Sequence, residues 1–314
     1  MTATDPAITT IVATHARHDL LEAALASLAA QSLGPGRYEV VVVDNSPDQA
    51  GAAAVAARHA GRPWLRYLLE PRPGLSNARN IGAAAARAPL LHYMDDDAEA
   101  GPDLLERLVE AFDRLGADAV GGRVEPVFPG PRPPWLDDAL LGLLTVVDWG
   151  GELRLCAEGE WLAGANIAFR RTALDAAGGF STALGRIGGG GTLLSNEETD
   201  LLARIAAAGG RIGYAPAASV RHHIDPGRLT PGWFRRRIAW QAVSEFLQDP
   251  GRATAAGPEA WRGLTWILSQ LPADQRNLHG LAQPTEDPAR FAQQVYGIHK
   301  LTTALLGGLR DADG

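Results

Sequence analysis

The chain has 314 residues, 46% of them hydrophobic and 21% charged, a composition typical of a soluble globular protein with a large core. Its formal net charge of −7 gives no electrostatic support for general binding to nucleic acid. The single cysteine, Cys156, excludes an internal disulfide and a cysteine-rich zinc site and fits a reducing cytoplasm.

No segment of the sequence predicts export or membrane insertion. Residues 1–7 lack the basic and apolar regions of a signal peptide, and the longest apolar stretch, residues 139–147, is too short to cross a bilayer. We therefore expect a cytoplasmic protein, and a peripheral contact with the inner face of the membrane stays open.

The first half of the chain alternates short apolar runs with amphipathic stretches. We predict strands at Ile8–Thr14, Val40–Val43, Leu65–Leu69, Leu90–Met94 and Ala119–Val124. Helices are predicted between them, at Asp19–Ser32, from about Gln49, from a capping Ser76 to Arg87, and at Asp103–Leu115. This alternation predicts an α/β fold with a doubly wound, mostly parallel sheet.

Beyond Glu125 the alternation breaks at a proline-rich loop followed by a patch that contains Trp135, Trp149 and Trp161. The next block is predicted to hold a short strand, a glycine-rich loop at Gly188–Gly191, a helix at Asn196–Ala208 and two more strands, one at Ala217–Val220. The loop suits a lid over a substrate or a simple linker. From Thr230 onward the pattern is helical.

Three adjacent aspartates, Asp95, Asp96 and Asp97, follow one predicted strand, and Asp44 follows another. In an open parallel sheet, ligands bind at the carboxyl ends of the strands. Adjacent carboxylates repel each other unless a cation or hydrogen-bond donors compensate, and hard oxygen ligands beside a diphosphate suit Mg²⁺ or Mn²⁺. A solvated turn with an N-cap for the next helix explains the triplet equally well.

An acidic segment opens the predicted helix at Asn196. Glu198 in this segment is a candidate general base, with a pKa raised by acidic neighbours and by partial burial. The pattern Ser195-x-x-Glu198 also matches a capping box, and the helix dipole favours acids in a first turn without any catalytic role. The sequence leaves both interpretations of Glu198 open.

Two histidines, His222 and His223, follow the last predicted strand. A neutral imidazole can complete a divalent-metal site that carboxylates begin, although a histidine pair is also common in ordinary packing. The glycine-rich motifs of dinucleotide-binding folds, P-loops and serine hydrolases are absent from the sequence.

Seven short segments, taken in order, resemble motifs of the family 2 glycosyltransferases, which have the GT-A fold. They are Ile11 to Arg17, Val41 to Ser46, Gly74 to Gly82, Met94 to Asp97, Gly164 to Arg171, Asn196 to Leu201 and Val220 to His222. The fourth matches the family's D-x-D motif, with Asp95 and Asp97 as its two acids. Ala16 stands where asparagine is usual in the family, and Glu198 stands where an aspartate base is usual. The resemblance covers about residues 8–225.

The resemblance implies a GT-A type sheet with a helical C-terminal extension. Residues 1–125 would form a nucleotide-sugar-binding half, residues 126–229 the acceptor-binding and catalytic half of the same domain, and residues 230–314 the extension. The implied reaction is a metal-dependent, inverting transfer (EC 2.4 class) from a nucleoside-diphosphate sugar, with a family lean toward UDP. The acceptor hydroxyl would belong to a carbohydrate, a lipid-linked compound or a small molecule.

The resemblance also implies roles for individual residues. Asp97, Asp95 and His222 would hold Mg²⁺ or Mn²⁺. Glu198 would remove the acceptor proton, and Glu197 or Asp200 would orient the base or the acceptor. The residues expected at the nucleotide sugar are Thr14, Arg17, Asp44, Gly74, Ser76, Arg79, Asp95 and Asp96, and those expected at the acceptor are Gly164, Asn166 and Trp161.

Two other functions fit parts of the pattern. A nucleotidyltransferase of sugar phosphates also uses an α/β sheet, paired acids and a metal, but it would more often carry a basic glycine-rich loop near its start. A non-catalytic nucleotide-binding homologue would not need the acids that this chain retains. The aromatic residues of segment 133–161 and of the helical tail suit an acceptor wall, a homo-oligomer interface, a membrane-surface patch or, most simply, core packing.

Overall fold

The computed structural model describes residues 5–34, 36–188 and 191–311, and its main element is a nine-stranded sheet. The strands are β1 (Ile8–Thr14), β2 (Tyr38–Asp44), β3 (Leu65–Leu69), β4 (Leu90–Asp95), β5 (Ala98–Ala100), β6 (Ala119–Val127), β7 (Arg154–Leu155), β8 (Asn166–Arg170) and β9 (Ile212–His223). The first six α-helices are α1 (His18–Ala29), α2 (Gln49–His59), α3 (Leu75–Ala85), α4 (Leu104–Leu115), α5 (Arg171–Ala176) and α6 (Glu197–Ala207).

The strand order is β3-β2-β1-β4-β8-β6-β9-β5, with β7 beside β9. The pairings make β1, β2, β3, β4, β6 and β9 run in one direction and β5, β7 and β8 in the other. The mixed, mostly parallel α/β architecture expected from the sequence is confirmed. In the register, Thr14 pairs with Asp44 and Ala13 with Asp95, so the ends of β1, β2 and β4 meet at one edge.

Strand β2 lies in the core because most of its residues are apolar. All residues of β2 are buried, including the run Val40–Val43, as expected for a parallel strand covered on both sides. Helix α1 places Leu21, Leu25 and Leu28 in the core, and this burial is the main stabilising term of such a domain.

Several predicted boundaries are wrong. Helix α3 begins at Leu75 after the N-cap Gly74, and Ser76 lies inside its first turn. Gly74 has a φ of 128°, which disfavours any residue with a Cβ. The two late strands are one, β9, whose register with β6 jumps from Gly122–Ala215 to Val124–Val220. This irregularity accommodates Pro216, the residue that interrupts the strand pattern in the sequence.

Clustering of contacts divides the chain into two compact units. Counting only the described residues, the first consists of those within 1–127, 145–191 and 197–223 and contains the whole sheet, and the second consists of those within 128–144, 192–196 and 224–314. The main helices of the second unit are α7 (Pro231–Gln248), α8 (Pro250–Ala255), α9 (Gly257–Gln270) and α10 (Pro288–Asp311). Short 3₁₀ helices at Asp138–Leu144, Pro226–Arg228, Ala273–Gln275 and Leu278–Ala282 complete it.

Four aromatic residues of the second unit, Trp135, Trp233, Phe234 and Phe291, pack against each other. Phe234 and Phe291 are buried and make edge-to-face contacts with Trp135, and Trp233 packs edge-on against Phe234. Core packing therefore accounts for this part of the aromatic pattern. Within the described ranges, no helix combines the length and the apolarity that a bilayer span requires.

The glycine-rich loop expected at Gly188–Gly191 lies partly outside the described residues, which omit positions 189 and 190. At its start, Gly188 has a φ of 67°, a left-handed conformation that glycine adopts at little cost. The lid interpretation of this loop stays a prediction.

Candidate active site

The acidic triplet lies where β4 ends and the chain turns into β5. Asp95 is the last residue of β4, and Asp96 and Asp97 form the turn. A turn is therefore present, but the expected solvated turn is wrong because Asp96 and Asp97 are buried, and the N-cap interpretation is wrong because the N-cap of α4 is Asp103. Pairing of β5 with β9 places His222 opposite Ala98, next to the turn.

Asp95, Asp97 and His222 form a group that fits a divalent cation. Each offers one ligand atom, and these atoms lie within 4.8 Å of one another. His222 Nε2 is 3.2 Å from Asp97 Oδ1, and both side chains are almost fully buried. Two carboxylates and an imidazole suit Mn²⁺ well and Mg²⁺ through the oxygens. The residues that the sequence pattern nominated as metal ligands are thus brought together by the fold.

Asp96, the middle acid, points to Arg17 and Thr14. The Thr14 hydroxyl donates to Asp96 Oδ2 at 2.7 Å, and Arg17 donates to Asp96 Oδ1 and, at 2.6 Å, to Asp97 Oδ2. Burial, together with the charges of Asp97 and Asp95, raises the pKa of Asp96 to about 7 even though Arg17 opposes the shift. Arg17 is therefore the cation that compensates Asp96 and Asp97 in this structure.

Arg79 joins the triplet to the acidic helix α6. Its guanidinium donates to Glu197 Oε1 at 2.7 Å, to Asp95 Oδ1 at 3.2 Å and to the Gly164 carbonyl at 3.3 Å, and it stacks on Phe180. The side chain is only 4% exposed. Arg79 was expected at the nucleotide sugar, and its contacts make it a buried connector between the carboxyl end of β4 and the start of α6.

Arg79→Met is expected to destabilise the fold by roughly 3–5 kcal/mol, because it leaves the buried Glu197 carboxylate without its ion-pair partner. The free energy of unfolding in urea measures this loss. Combining Arg79→Met with Glu197→Met should recover most of it, since no buried charge then lacks its partner in that pair.

The matched control is Arg58→Ala, which removes an exposed arginine paired with Glu22. Arg58→Ala should lower the free energy of unfolding by less than about 1 kcal/mol, as is usual for surface ion pairs. Equal losses for Arg58→Ala and Arg79→Met would contradict the connector role.

Glu198 lies in the first turn of α6 and faces the backbone of Gly164, whose N–H donates to Glu198 Oε1 at 3.3 Å. Burial and the neighbouring Glu197 raise the pKa of Glu198 to about 7, against the opposing effect of Arg79. Its Oε2 has no hydrogen-bond partner among the described residues. A partly buried carboxylate with a pKa near neutrality and one available oxygen has the properties of a general base.

The capping-box interpretation of Glu198 is not supported by the contacts. The Ser195 hydroxyl bonds to Asn196, Gln241 and Ser244 in the second unit, whereas Glu198 bonds to Gly164 in the first. A capping box would instead have the Ser195 hydroxyl accept from the backbone N–H of Glu198.

Asp200, the other acid of the segment, is committed to an ion pair. Its Oδ2 accepts from Arg204 Nε at 3.0 Å and from Arg204 Nη2 at 2.7 Å. Arg204 in turn donates to the carbonyls of Ala177 and Gly179. Arg204 therefore ties α6 to the segment after α5, and Asp200 holds the Arg204 side chain from within the same helix.

Asp44 is fully buried at the end of β2, and its carboxylate is surrounded by donors. Oδ2 accepts from Tyr67 at 2.6 Å and lies 2.8 Å from His18 Nε2, and Oδ1 accepts from the backbone and hydroxyl of Ser46. Although burial alone would raise it, these bonds hold the pKa of Asp44 below its usual value. Sequence reasoning missed His18 and Tyr67, because neither follows a strand end as Asp44 does.

Four residues nominated from the sequence remain: Ser76, Asn166, Trp161 and Gly164. The Ser76 hydroxyl donates to the Leu184 carbonyl at 2.9 Å. The Asn166 amide is buried and bonds to the carbonyls of Arg123 and Ala218 and to His92. Trp161 packs edge-on against Trp149 and accepts its indole N–H through the main-chain carbonyl. Gly164 presents its N–H and C=O to Glu198 and Arg79, respectively.

Comparison with known proteins places this site in a described family. A family model named "Glycosyl transferase family 2" matches residues 9–175, which include β1 to β4 and the acidic triplet. The match ends before α6, so Glu198 and His222 lie beyond it.

Individual relatives extend the similarity beyond that range. The succinoglycan biosynthesis protein ExoM of Rhizobium meliloti is 30% identical over 231 residues, covering 72% of this chain and 70% of that protein. An uncharacterized glycosyltransferase of Mycobacterium tuberculosis is 32% identical over 243 residues, or 76% of this chain and 98% of the relative. A glucosyl-dolichyl phosphate glucuronosyltransferase of Haloferax volcanii is 30% identical over 179 residues, 56% of each chain.

Proposed function

The chain belongs to glycosyl transferase family 2, and we propose that it moves a sugar from a nucleoside-diphosphate donor to an acceptor hydroxyl, with inversion at the anomeric carbon. The observation that carries this proposal is the continuity of the acidic site. Arg79 contacts both Asp95, in the group that fits a cation, and Glu197, next to the candidate base Glu198.

The donor side of the proposed site is the edge formed by β1, β2 and β4. Asp95, Asp97 and His222 would hold Mg²⁺ or Mn²⁺, which supplies Lewis-acid stabilisation of the diphosphate when bound. Asp44 and its hydrogen-bonded neighbours would bind the nucleoside. Because Asp44 already accepts four short contacts, we propose that His18 or Tyr67 contacts the base and that Asp44 positions them.

The acceptor side is the start of α6. Glu198 would take the proton from the acceptor hydroxyl as the hydroxyl oxygen attacks the anomeric carbon and the bond to the diphosphate breaks. Its raised pKa matches a base that works near neutral pH. Glu197 keeps the base oriented through its ion pair with Arg79, and Asp200 does so through Arg204.

The relatives' names support a sugar acceptor. One relative is named for succinoglycan biosynthesis and another for glucuronosyl transfer to a glucosyl-dolichyl phosphate. We propose that the acceptor of this chain is likewise a sugar hydroxyl, on a glycan or on a lipid-linked saccharide, and that the donor is a UDP-sugar.

A thermal-shift panel of UDP, GDP, TDP and ADP, each with and without Mn²⁺, tests the donor half of the proposal. A nucleotide that binds the native state raises the melting temperature, by an amount that grows with its concentration relative to Kd. We expect UDP with Mn²⁺ to give the largest shift, and UDP alone a smaller one. No shift with any nucleotide would overturn the proposal.

The matching nucleotide sugar should then be turned over with release of the nucleoside diphosphate. Release of pyrophosphate from a nucleoside triphosphate and a sugar phosphate would instead indicate a nucleotidyltransferase. Binding without turnover across a broad acceptor set would indicate a non-catalytic homologue.

A further inference from the structure

We propose that Arg17 serves as the resident cation of the acidic triplet in the donor-free protein and exchanges its place for a divalent cation and the donor diphosphate. This inference rests on the proposed function. It assigns Arg17 two successive partners: first the aspartates, and then the diphosphate that arrives with the cation.

The geometry makes Arg17 and a divalent cation compete for one carboxylate. Arg17 Nη1 is 2.6 Å from Asp97 Oδ2, and the other oxygen of that carboxylate is 3.2 Å from His222 Nε2. Asp97 is also one of the three residues whose ligand atoms cluster within 4.8 Å. A cation bound to Asp97 therefore meets the positive charge of Arg17 on the same group, and the two repel each other.

Arg17 is the arginine of the site that can leave. Its side chain is 38% exposed, whereas the Asp96 and Asp97 side chains are almost fully buried. In the described part of the chain, the hydrogen bonds of its guanidinium go to these two aspartates. Arg79, by contrast, is buried, and its guanidinium spans Glu197, Asp95 and the Gly164 carbonyl.

The main chain holds the backbone of Arg17 in a defined position. Arg17 is the N-cap residue of α1, directly after Ala16, which has a φ of 56°. The N–H of Ala16 donates to the Ser46 hydroxyl at 2.7 Å. This bond anchors the main chain next to Arg17, so the proposed change of partner requires only rotation of the Arg17 side chain.

Charge favours this exchange only when the cation and the diphosphate arrive together. A guanidinium that gives up two carboxylates regains equivalent charge-assisted bonds from phosphate oxygens. A divalent cation alone gives Arg17 no new partner. The wild-type protein should therefore bind Mn²⁺ weakly by itself and more tightly with UDP.

The test is calorimetric binding of Mn²⁺ without nucleotide to the wild type, Arg17→Ala, Arg17→Lys and the control Arg107→Ala. Arg107 forms exposed ion pairs on α4 with Asp103 and Glu110. We expect Arg17→Ala to bind Mn²⁺ at least ~10-fold more tightly than the wild type. Its affinity for UDP in saturating Mn²⁺ should fall by at least ~10-fold, the opposite direction. If the thermal-shift panel selects another base, that nucleoside diphosphate replaces UDP.

Arg17→Lys keeps the charge but loses the two-pronged geometry, so both affinities should lie between those of the wild type and Arg17→Ala. Arg107→Ala should change neither. Equal Mn²⁺ affinity in the wild type and Arg17→Ala overturns the exchange, and so does weaker binding of both ligands, which indicates a purely structural Arg17.

Two further results separate the exchange from other effects. The difference in Mn²⁺ affinity between the wild type and Arg17→Ala should persist in about 0.5 M salt, because Asp97 is buried and its ion pair with Arg17 is weakly screened. A difference that vanishes in salt would indicate a long-range charge effect and contradict direct competition. The Nε–Hε NMR signal of Arg17, assigned through Arg17→Lys, should shift when Mg²⁺ and UDP are added together, and an unchanged signal overturns the exchange. Absence of Mn²⁺ binding to all four proteins, with or without UDP, overturns the metal role in the proposed function itself.

Discussion

Glu198→Gln is expected to lower kcat by ~10²–10⁴-fold, because an amide cannot take the proton of the acceptor hydroxyl. Donor binding should be unchanged, since the Glu198 side chain accepts a hydrogen bond from the Gly164 backbone and, within the described chain, none from a residue of the proposed donor site. Steady-state kinetics with saturating donor and Mn²⁺ measure kcat, and calorimetry with the nucleoside diphosphate measures binding.

The matched control is Glu106→Gln, which changes an acid in the first turn of α4 that bonds to Ser32 at an exposed position. Its kcat should equal that of the wild type. A Glu198→Gln protein that keeps its kcat but loses melting temperature would show that Glu198 is a structural residue of the helix start.

Asp97→Asn is expected to reduce metal-dependent turnover on the order of 10³-fold, because it removes a charged ligand shared by the acidic group and His222. Loss of several kcal/mol of charge stabilisation at the departing diphosphate corresponds to a factor of this size. The rate of nucleoside diphosphate release across a Mn²⁺ titration measures both the maximum rate and the metal requirement.

Asp103→Asn is the control for this change, since Asp103 is an acid of the same unit paired with Arg107 on the surface. The rate of nucleoside diphosphate release by Asp103→Asn should depend on the Mn²⁺ concentration as it does in the wild type. Near wild-type turnover of Asp97→Asn in excess chelator would contradict a role of the metal in catalysis.

The strand-end acids illustrate what could be predicted from sequence. A β-branched apolar run stops at Asp44, and a second predicted strand, Leu90–Met94, stops at Asp95. Both follow the rule that ligands bind at the carboxyl ends of parallel strands. The register confirms that these ends share an edge, with Thr14 opposite Asp44 and Ala13 opposite Asp95. The local sequence pattern was enough to place these acids at the edge where ligands bind, because that rule requires only the direction of each strand.

The connection through Arg79 could not be predicted in the same way. Arg79 and Glu197 are 118 positions apart, and a buried ion pair between distant helices leaves no periodic signal in one sequence. For the same reason, the sequence alone could not distinguish a general base from a capping box at Glu198. The tertiary contact with Gly164, 34 positions away, argues against the capping box, and the general-base interpretation stays a prediction.

Strand β9 and helix α3 show a second limit of prediction from the sequence. Pro216 interrupts the apolar pattern of β9, and two strands were predicted there because a proline normally ends a strand pattern. In the structure the strand continues through a bulge opposite Gly122. Ser76 has the chemistry of an N-cap, but its hydroxyl bonds to the Leu184 carbonyl and Gly74 takes the cap position. Both errors arise where tertiary contacts override a local preference.

The pH dependence of kcat in saturating donor and Mn²⁺ tests the central claim, that Glu198 is the base of a glycosyl transfer. A base must be deprotonated to act, and the pKa of Glu198 is raised to about 7. The rate should therefore fall as the pH drops through about 7, well above the ~4.3 of an ordinary glutamate. Asp96 also has a pKa of about 7, so the same profile should be recorded for Asp96→Asn. We predict that the fall near pH 7 persists in Asp96→Asn and disappears from the residual activity of Glu198→Gln. A rate that stays flat from pH 8 to about 5 in the wild type, or an unchanged fall in Glu198→Gln, would contradict the account.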